Sequence, residues 1–212
     1  MHIVDGALSL PVVAGGAVLA VGGLAVGLKS LTMEKIPAAG VLSATFFVAS
    51  LIHVPIGPSS VHLIMNGLAG LVLGWAAFPA LFVGLLLQAV FFGFGGVTVL
   101  GINAVNIALP AVMVFYLCRR GVASTSPLVS ALWGALGGGL AIVFTTCFVA
   151  LSLALSGEEF LPAAKLVFVA HIPVMVVEAL ITGAAVYLAR RVKPDLFDSL
   201  ATSNIARSSG SL

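Results

Sequence analysis

Charged side chains are scarce in this sequence: Asp, Glu, Lys and Arg make up 8% of 212 residues, where a soluble domain carries about 25%. Such a chain cannot cover a water-facing surface, and its mean hydropathy of +1.24 makes lipid its solvent. Neither sign of charge dominates, with nine Lys and Arg against seven Asp and Glu, so there is no basic field to recruit nucleic acid. The expected partner is the bilayer. The two cysteines, Cys118 and Cys147, provide no disulfide framework. A G-x-x-x-x-G-K-[ST] loop is missing, which excludes ATP hydrolysis by this chain itself, and the lack of H-E-x-x-H argues against an intramembrane zinc protease. No organic cofactor is expected. No Lys or Arg precedes Lys29, so the positive flank of a signal peptide is absent and residues 1–8 are expected in the mature chain. His2 is too large a second residue for methionine removal, so Met1 is expected to remain, with a free amine once deformylated.

What is abundant is apolar sequence. Stretches fall at about 9–28, 37–52, 63–78, 79–95, 99–118, 127–155 and 163–189, and about 20 such residues span a bilayer. The reading is an all-α polytopic membrane bundle with about seven transmembrane helices, or six if one of the short third and fourth stretches is re-entrant. Residues 1–194 form one transmembrane domain and 195–212 a polar tail. Basic residues mark cytoplasmic loops. With the N-terminus outside, seven passes place Lys29, Lys35, Arg119, Arg120, Arg190, Arg191, Lys193 and Arg207 inside and leave only Lys165 outside. The C-terminus is then cytoplasmic, and Met1, His2, His53 and His62 share the outer face. The pairs Gly23/Gly27, Gly70/Gly74 and Gly134/Gly138 are expected to let helices approach closely.

Histidine is rare too, and its placement is the question this chain poses: four in all, one at position 2 and two within "HVPIGPSSVH" at 53–62. The Met1 amine, the His2 backbone nitrogen and a His2 ring nitrogen can close fused chelate rings on one metal ion. An amide nitrogen surrenders its proton only to a strongly polarising ion in near-planar geometry, which points to Ni(II), Cu(II) or Co(II). His62 is the candidate for a fourth nitrogen. The segment between His53 and His62 reads either as a shaped loop presenting His62 or as an ordinary external turn. Asp5 and Asn66 are short polar groups near these ligands. A carboxylate at Asp5 can accept a ligand histidine's other N–H, or Asp5 can cap the first helix. Gln88, Asn103, Asn106, His171 and Glu178 sit in apolar stretches, and such groups usually face a bundle interior. His171 and Glu178, two helical turns apart on one face, could form a proton path, an interhelical hydrogen-bond network or contacts to a partner.

Four blocks, "MHIVDG", "GPSSVHLIMNGLAG", "LLQAVFFGFGGVTVLGINAVNIALP" and "HIPVMVVEALITG", resemble the CbiM/NikM family over about residues 1–190, in the family's order. These are the substrate-capture components of cobalt and nickel energy-coupling-factor (ECF) importers of the prokaryotic inner membrane. The resemblance implies a helical bundle into which the N-terminus folds back. It implies a metal held by the Met1 amine, the His2 amide and ring, and His62, with Asp5 as the family's acidic residue. It also implies a coupling membrane subunit, a pair of ATPases and, in some members, a small extra membrane subunit. The loop before His62 is one residue longer than the family's usual G-[ST]-x-[SG]-H, and His53 stands where relatives more often carry Asn or Lys, which leaves His53 open as a ligand or supporting group. The expected function is capture of Co2+, with Ni2+ second, as transported substrate for cobalamin synthesis or metalloenzymes. The alternatives are a secondary transporter or channel for a small organic solute, with His171, Glu178 and the amides as its pathway, and a membrane assembly factor.

Overall fold

The computed structural model describes residues 2–56, 59–194, 196 and 197. Seven α-helices and one small hairpin make up the described chain: α1 Leu10–Ser30, α2 Ile36–Ala49, β1 Val54–Ile56, β2 Ser59–Val61, α3 Asn66–Leu73, α4 Ala77–Phe92, α5 Leu100–Val122, α6 Pro127–Ala154 and α7 Leu161–Val192. Proline opens four of the helices within their first two positions: Pro11, Pro37, Pro127 and Pro162. There the ring removes an N–H that had no helical partner.

Successive helices alternate in direction. Asn66, Gly70 and Gly74 lie against Ile107, Ala111 and Phe115, so α3 runs alongside α5 in the same sense. The chain then reverses at Gly74, whose φ of +60° a side chain would resist. A 3-10 turn over Gly74–Ala76 leads into α4, whose last turn returns to the hairpin end, where Gln88 reaches His2. On the other side, α6 and α7 pack as an antiparallel pair through glycine: a Cβ on Gly138 would sit 2.6 Å from the Glu178 carbonyl oxygen, and one on Gly134 would sit 2.8 Å from Val186. The three expected glycine pairs thus all work within this chain, Gly23 and Gly27 against Phe78 and Pro79.

Five helical runs are long and apolar enough to cross a membrane: Leu10–Ser30, Asn66–Phe92, Leu100–Val122, Pro127–Ala154 and Glu158–Val192. The Asn66–Phe92 run is the folded-back α3–α4 unit. The third expected span is therefore only a half-helix of eight residues, and non-helical chain joins β2 to its first residue. Residues Val18, Leu19 and Val21 of α1 face outward, as lipid contact requires. Leu73 and Trp75 lie at the end that carries Lys35, Tyr116 and Arg119. Arg190 donates to the carbonyls of Ser124, Ala123 and Pro194, closing the α5–α6 connection at that same end. The Gln88 and His2 end lies opposite. Of the expected tail, Phe197 is buried with Leu71, Val114 and Cys118, so packed structure runs past residue 194 because an apolar ring follows the basic segment. Residues 195 and 198–212 lie outside the described residues.

Candidate metal centre

The N-terminal segment enters the bundle as a short extended arm. Asn103 clamps it by both ends of its amide: Ile3 N–H donates to Asn103 Oδ1 at 3.0 Å and Asn103 Nδ2 donates to the Ile3 carbonyl at 3.0 Å. Asp5 N–H donates to the Gly95 carbonyl at 2.8 Å. The loop that receives the arm must come very close. A Cβ on Gly95 would sit 2.9 Å from Asn103 Nδ2 and 3.2 Å from His2 Cβ, and one on Gly96 would sit 2.1 Å from Asp5. This explains Gly95 and Gly96 of "FGFGG", while Gly93, with a φ of +66° and open space around it, ends α4 in the left-handed region.

So docked, His2 is buried and its ring stacks on that of His62, with centroids 4.8 Å apart and planes 27° from parallel. His2 Nε2 donates to Gln88 Oε1. The Gln88 orientation is set by its other end, where Nε2 donates to the Phe46 carbonyl. His2 Nδ1 therefore carries the lone pair, with the Ser60 hydroxyl 3.5 Å away. His62 Nδ1 donates to the Leu63 carbonyl at 2.6 Å, which leaves the lone pair on Nε2. Burial pushes both imidazoles down to about 4, against weaker opposing effects of the Gln88 and Leu63 hydrogen bonds. Both rings are neutral at pH 7, the form that ligates metals.

The sequence candidates divide into groups. His2 and His62 are brought together, and Met1 lies outside the described residues. Gln88, not Asp5, accepts the His2 ring N–H. Asp5 is exposed, its carboxylate accepts from Thr98 Oγ1, and Ser9 stands at the α1 N-cap position, so Asp5 braces the arm rather than the helix. His53 meets the edge of Phe94 at 4.4 Å, next to His2, whose ring is 6.0 Å from the same Phe94. Asn66 donates to the Ile107 carbonyl and to Thr145 Oγ1, each at 2.9 Å, deeper in the bundle. Asn106 accepts from Ser152 Oγ. His171 donates to the Val167 carbonyl within its own helix, and Glu178 receives the backbone N–H groups of Ile64 and Met65. Among the described residues no three His, Cys, Asp or Glu side chains are grouped as a metal cage. Sequence reasoning missed Ser60, Phe94 and Thr98, whose residue types carry no ligand signal, and the partner of Gln88, which only the fold supplies.

The family described as the cobalt uptake substrate-specific transmembrane region, CbiM, matches residues 2–196. The chain belongs to the CbiM family. It is 42% identical over 200 residues, 93% of this chain and 97% of the other, to a Haemophilus influenzae protein named for metal transport. It is 29% identical over 228 residues, 97% and 98% of the two chains, to the cobalt transport protein CbiM of Sorangium cellulosum. A solved structure of a transition metal transporter superposes with a TM-score of 0.74 at 30% identity, over 96% of this chain and 99% of that one. This CbiM-family chain is thus a multi-pass membrane component of cobalt or nickel uptake, a transport protein with the expected all-α bundle. Its stacked histidines lie inside the matched region.

Proposed function

We propose that this protein is the substrate-binding subunit of an ATP-driven ECF importer, and that it captures Co2+, or next Ni2+, at the outer face of the prokaryotic inner membrane. Met1 supplies its amine, His2 its amide and Nδ1, and His62 its Nε2. The observation that carries this reading is the pairing of His2 and His62 with opposite ring nitrogens tied to Gln88 and Leu63. A chelate that uses the His2 amide closes through Nδ1, and Nδ1 is the nitrogen left with its lone pair. Tying the remote N–H to an oxygen acceptor fixes the tautomer and raises ligand basicity. Nitrogen donors of this kind suit both ions, and affinity order alone favours Ni(II) over Co(II). Cobalt takes first place because the matching family and two of the relatives are named for cobalt, while three fused relatives are named for nickel. Energy comes from partner ATPases through a coupling membrane subunit, with a small accessory membrane subunit as a further partner. Relatives in which a nickel transport protein is fused, NikMN of Rhodobacter capsulatus among them, support association with another membrane component.

The test is metal content and visible absorption of the purified chain loaded with Co(II) or Ni(II), beside His2→Ala and a variant with one residue added before Met1. A one-to-one complex with a planar nitrogen-donor spectrum, lost in both variants, is expected. Equal binding in all three sinks the proposed site.

A further inference from the structure

Glu178 lies wholly inside the bundle on α7, yet its carboxylate does not serve that helix or its neighbour α6. Oε1 reaches across to the chain just after His62 and accepts two consecutive backbone N–H groups, from Ile64 and, at 2.8 Å, from Met65. The Ile64 N–H belongs to the same peptide unit as the Leu63 carbonyl, and that carbonyl is the group that takes the His62 Nδ1 proton at 2.6 Å. A trans peptide is planar and its C=O and N–H point to opposite sides. One rigid plate therefore has Glu178 on one edge and the His62 imidazole on the other, and hydrogen bonds in such a chain polarise one another. The turn that follows is one the backbone does not adopt readily: Met65 has a φ of +58°, the one non-glycine residue with a positive φ among those described. Left-handed backbone at an ordinary L-residue persists where the surroundings impose it, and the Glu178 oxygen on the Met65 N–H is such an imposition.

We propose that Glu178 is the positioning residue for His62: through the Leu63–Ile64 peptide it fixes the orientation and tautomer of the imidazole and so presents Nε2 to the metal. The inference rests on the proposed function, in which His62 is a ligand. It also ties the metal loop to α7 rather than to α3, whose first residue follows the turn. Any shift of α7 along its axis is transmitted to the ligand.

The experiment is Co(II) and Ni(II) titration of the purified full chain, read by absorption, for wild type, Glu178→Met, Glu178→Gln, Met65→Val and His62→Ala, with thermal unfolding recorded alongside. Glu178→Met conserves volume and removes the acceptor. It should weaken metal binding by about tenfold or more, the usual effect of losing a group that orients a ligand, and shift the metal absorption bands. Glu178→Gln keeps a carbonyl oxygen for the loop and should stay nearer wild type than Glu178→Met. Met65→Val opposes the left-handed turn from the loop side, with every residue of α7 unchanged, and should weaken binding in the same direction. Unchanged affinity and spectrum in Glu178→Met overturn the inference, even if its unfolding temperature falls. If Glu178→Met does not give monodisperse protein, unchanged affinity and spectrum in Met65→Val overturn it instead. Wild-type protein that binds no metal, or His62→Ala binding like wild type, overturns the proposed function and this inference with it. Wild-type binding that needs His62 but not Glu178 overturns this inference alone.

Discussion

Burial does more for His2 and His62 than hide them, because it fixes their protonation state across the physiological range. Their folded-state values lie near 4, against 6.5 for a free imidazole. Above pH 6.5 the rings are neutral in both folded and unfolded chains and pH has no effect through them. Between 6.5 and 4 the unfolded chain binds protons that the folded chain refuses, so stability falls as the pH falls. The metal-free protein in detergent should therefore lose unfolding temperature progressively from pH 6.5 to pH 4, and replacing both histidines with Gln should make the decline shallower. A wild-type decline no steeper than that of the double variant would mean that the rings are hydrated. The same refusal of protons would keep the proposed ligand nitrogens available to metal in mildly acidic surroundings, where an exposed histidine pair would already be charged.

At the level of elements, α3 is the part that differs most from a simple reading. Hydropathy recognises its residues as apolar, and that part of the reading stands: Leu71 and Leu73 are buried. Its eight-residue length is invisible to composition, because it depends on the reversal at Gly74 and on the non-helical chain, with its left-handed Met65, that precedes Asn66. The four histidines, the retained glycine pairs and the polar groups of the bundle could all be picked out from the sequence, because each residue type is out of place in lipid or unusually small. Their pairings could not. Gln88 with His2, Asn103 with Ile3 and Glu178 with Ile64 join residues 86, 100 and 114 positions apart, and only the packed fold decides such partners. Asp5 illustrates the error this causes, since two plausible local roles were open to it and its observed contact with Thr98 is neither. The tightness of α3 is directly testable. A Cβ on Gly70 would lie 2.1 Å from the Ala111 carbonyl oxygen, whereas nothing lies within 4 Å of one on Gly22. Gly70→Ala should cost about 1–3 kcal/mol through overpacking and Gly22→Ala should be neutral or stabilising, as read by thermal unfolding in detergent; equal effects would mean that α3 is not held against α5.

For the whole molecule, helix direction and charge tell one story: Lys35, Arg119 and Arg190 gather at one end and the histidine pair at the other. Basic ends face the cytoplasm, so in a background without Cys118 and Cys147, Ile52→Cys, exposed near the hairpin, should react with a membrane-impermeant thiol reagent on intact cells. Thr125→Cys, exposed in the α5–α6 connection, should react only after permeabilisation; the reverse pattern would invert the topology. The Asn103 clamp on Ile3 has a consequence for biosynthesis. The arm is translated 100 residues before the amide that seats it, so it must wait, unseated, until α5 has been inserted. Residues made well before α5 are thus seated only after it, and a chain that stalls before α5 cannot assemble the proposed site. On the proposed function, readiness to take up metal then certifies that α1 through α5 have all been inserted in order.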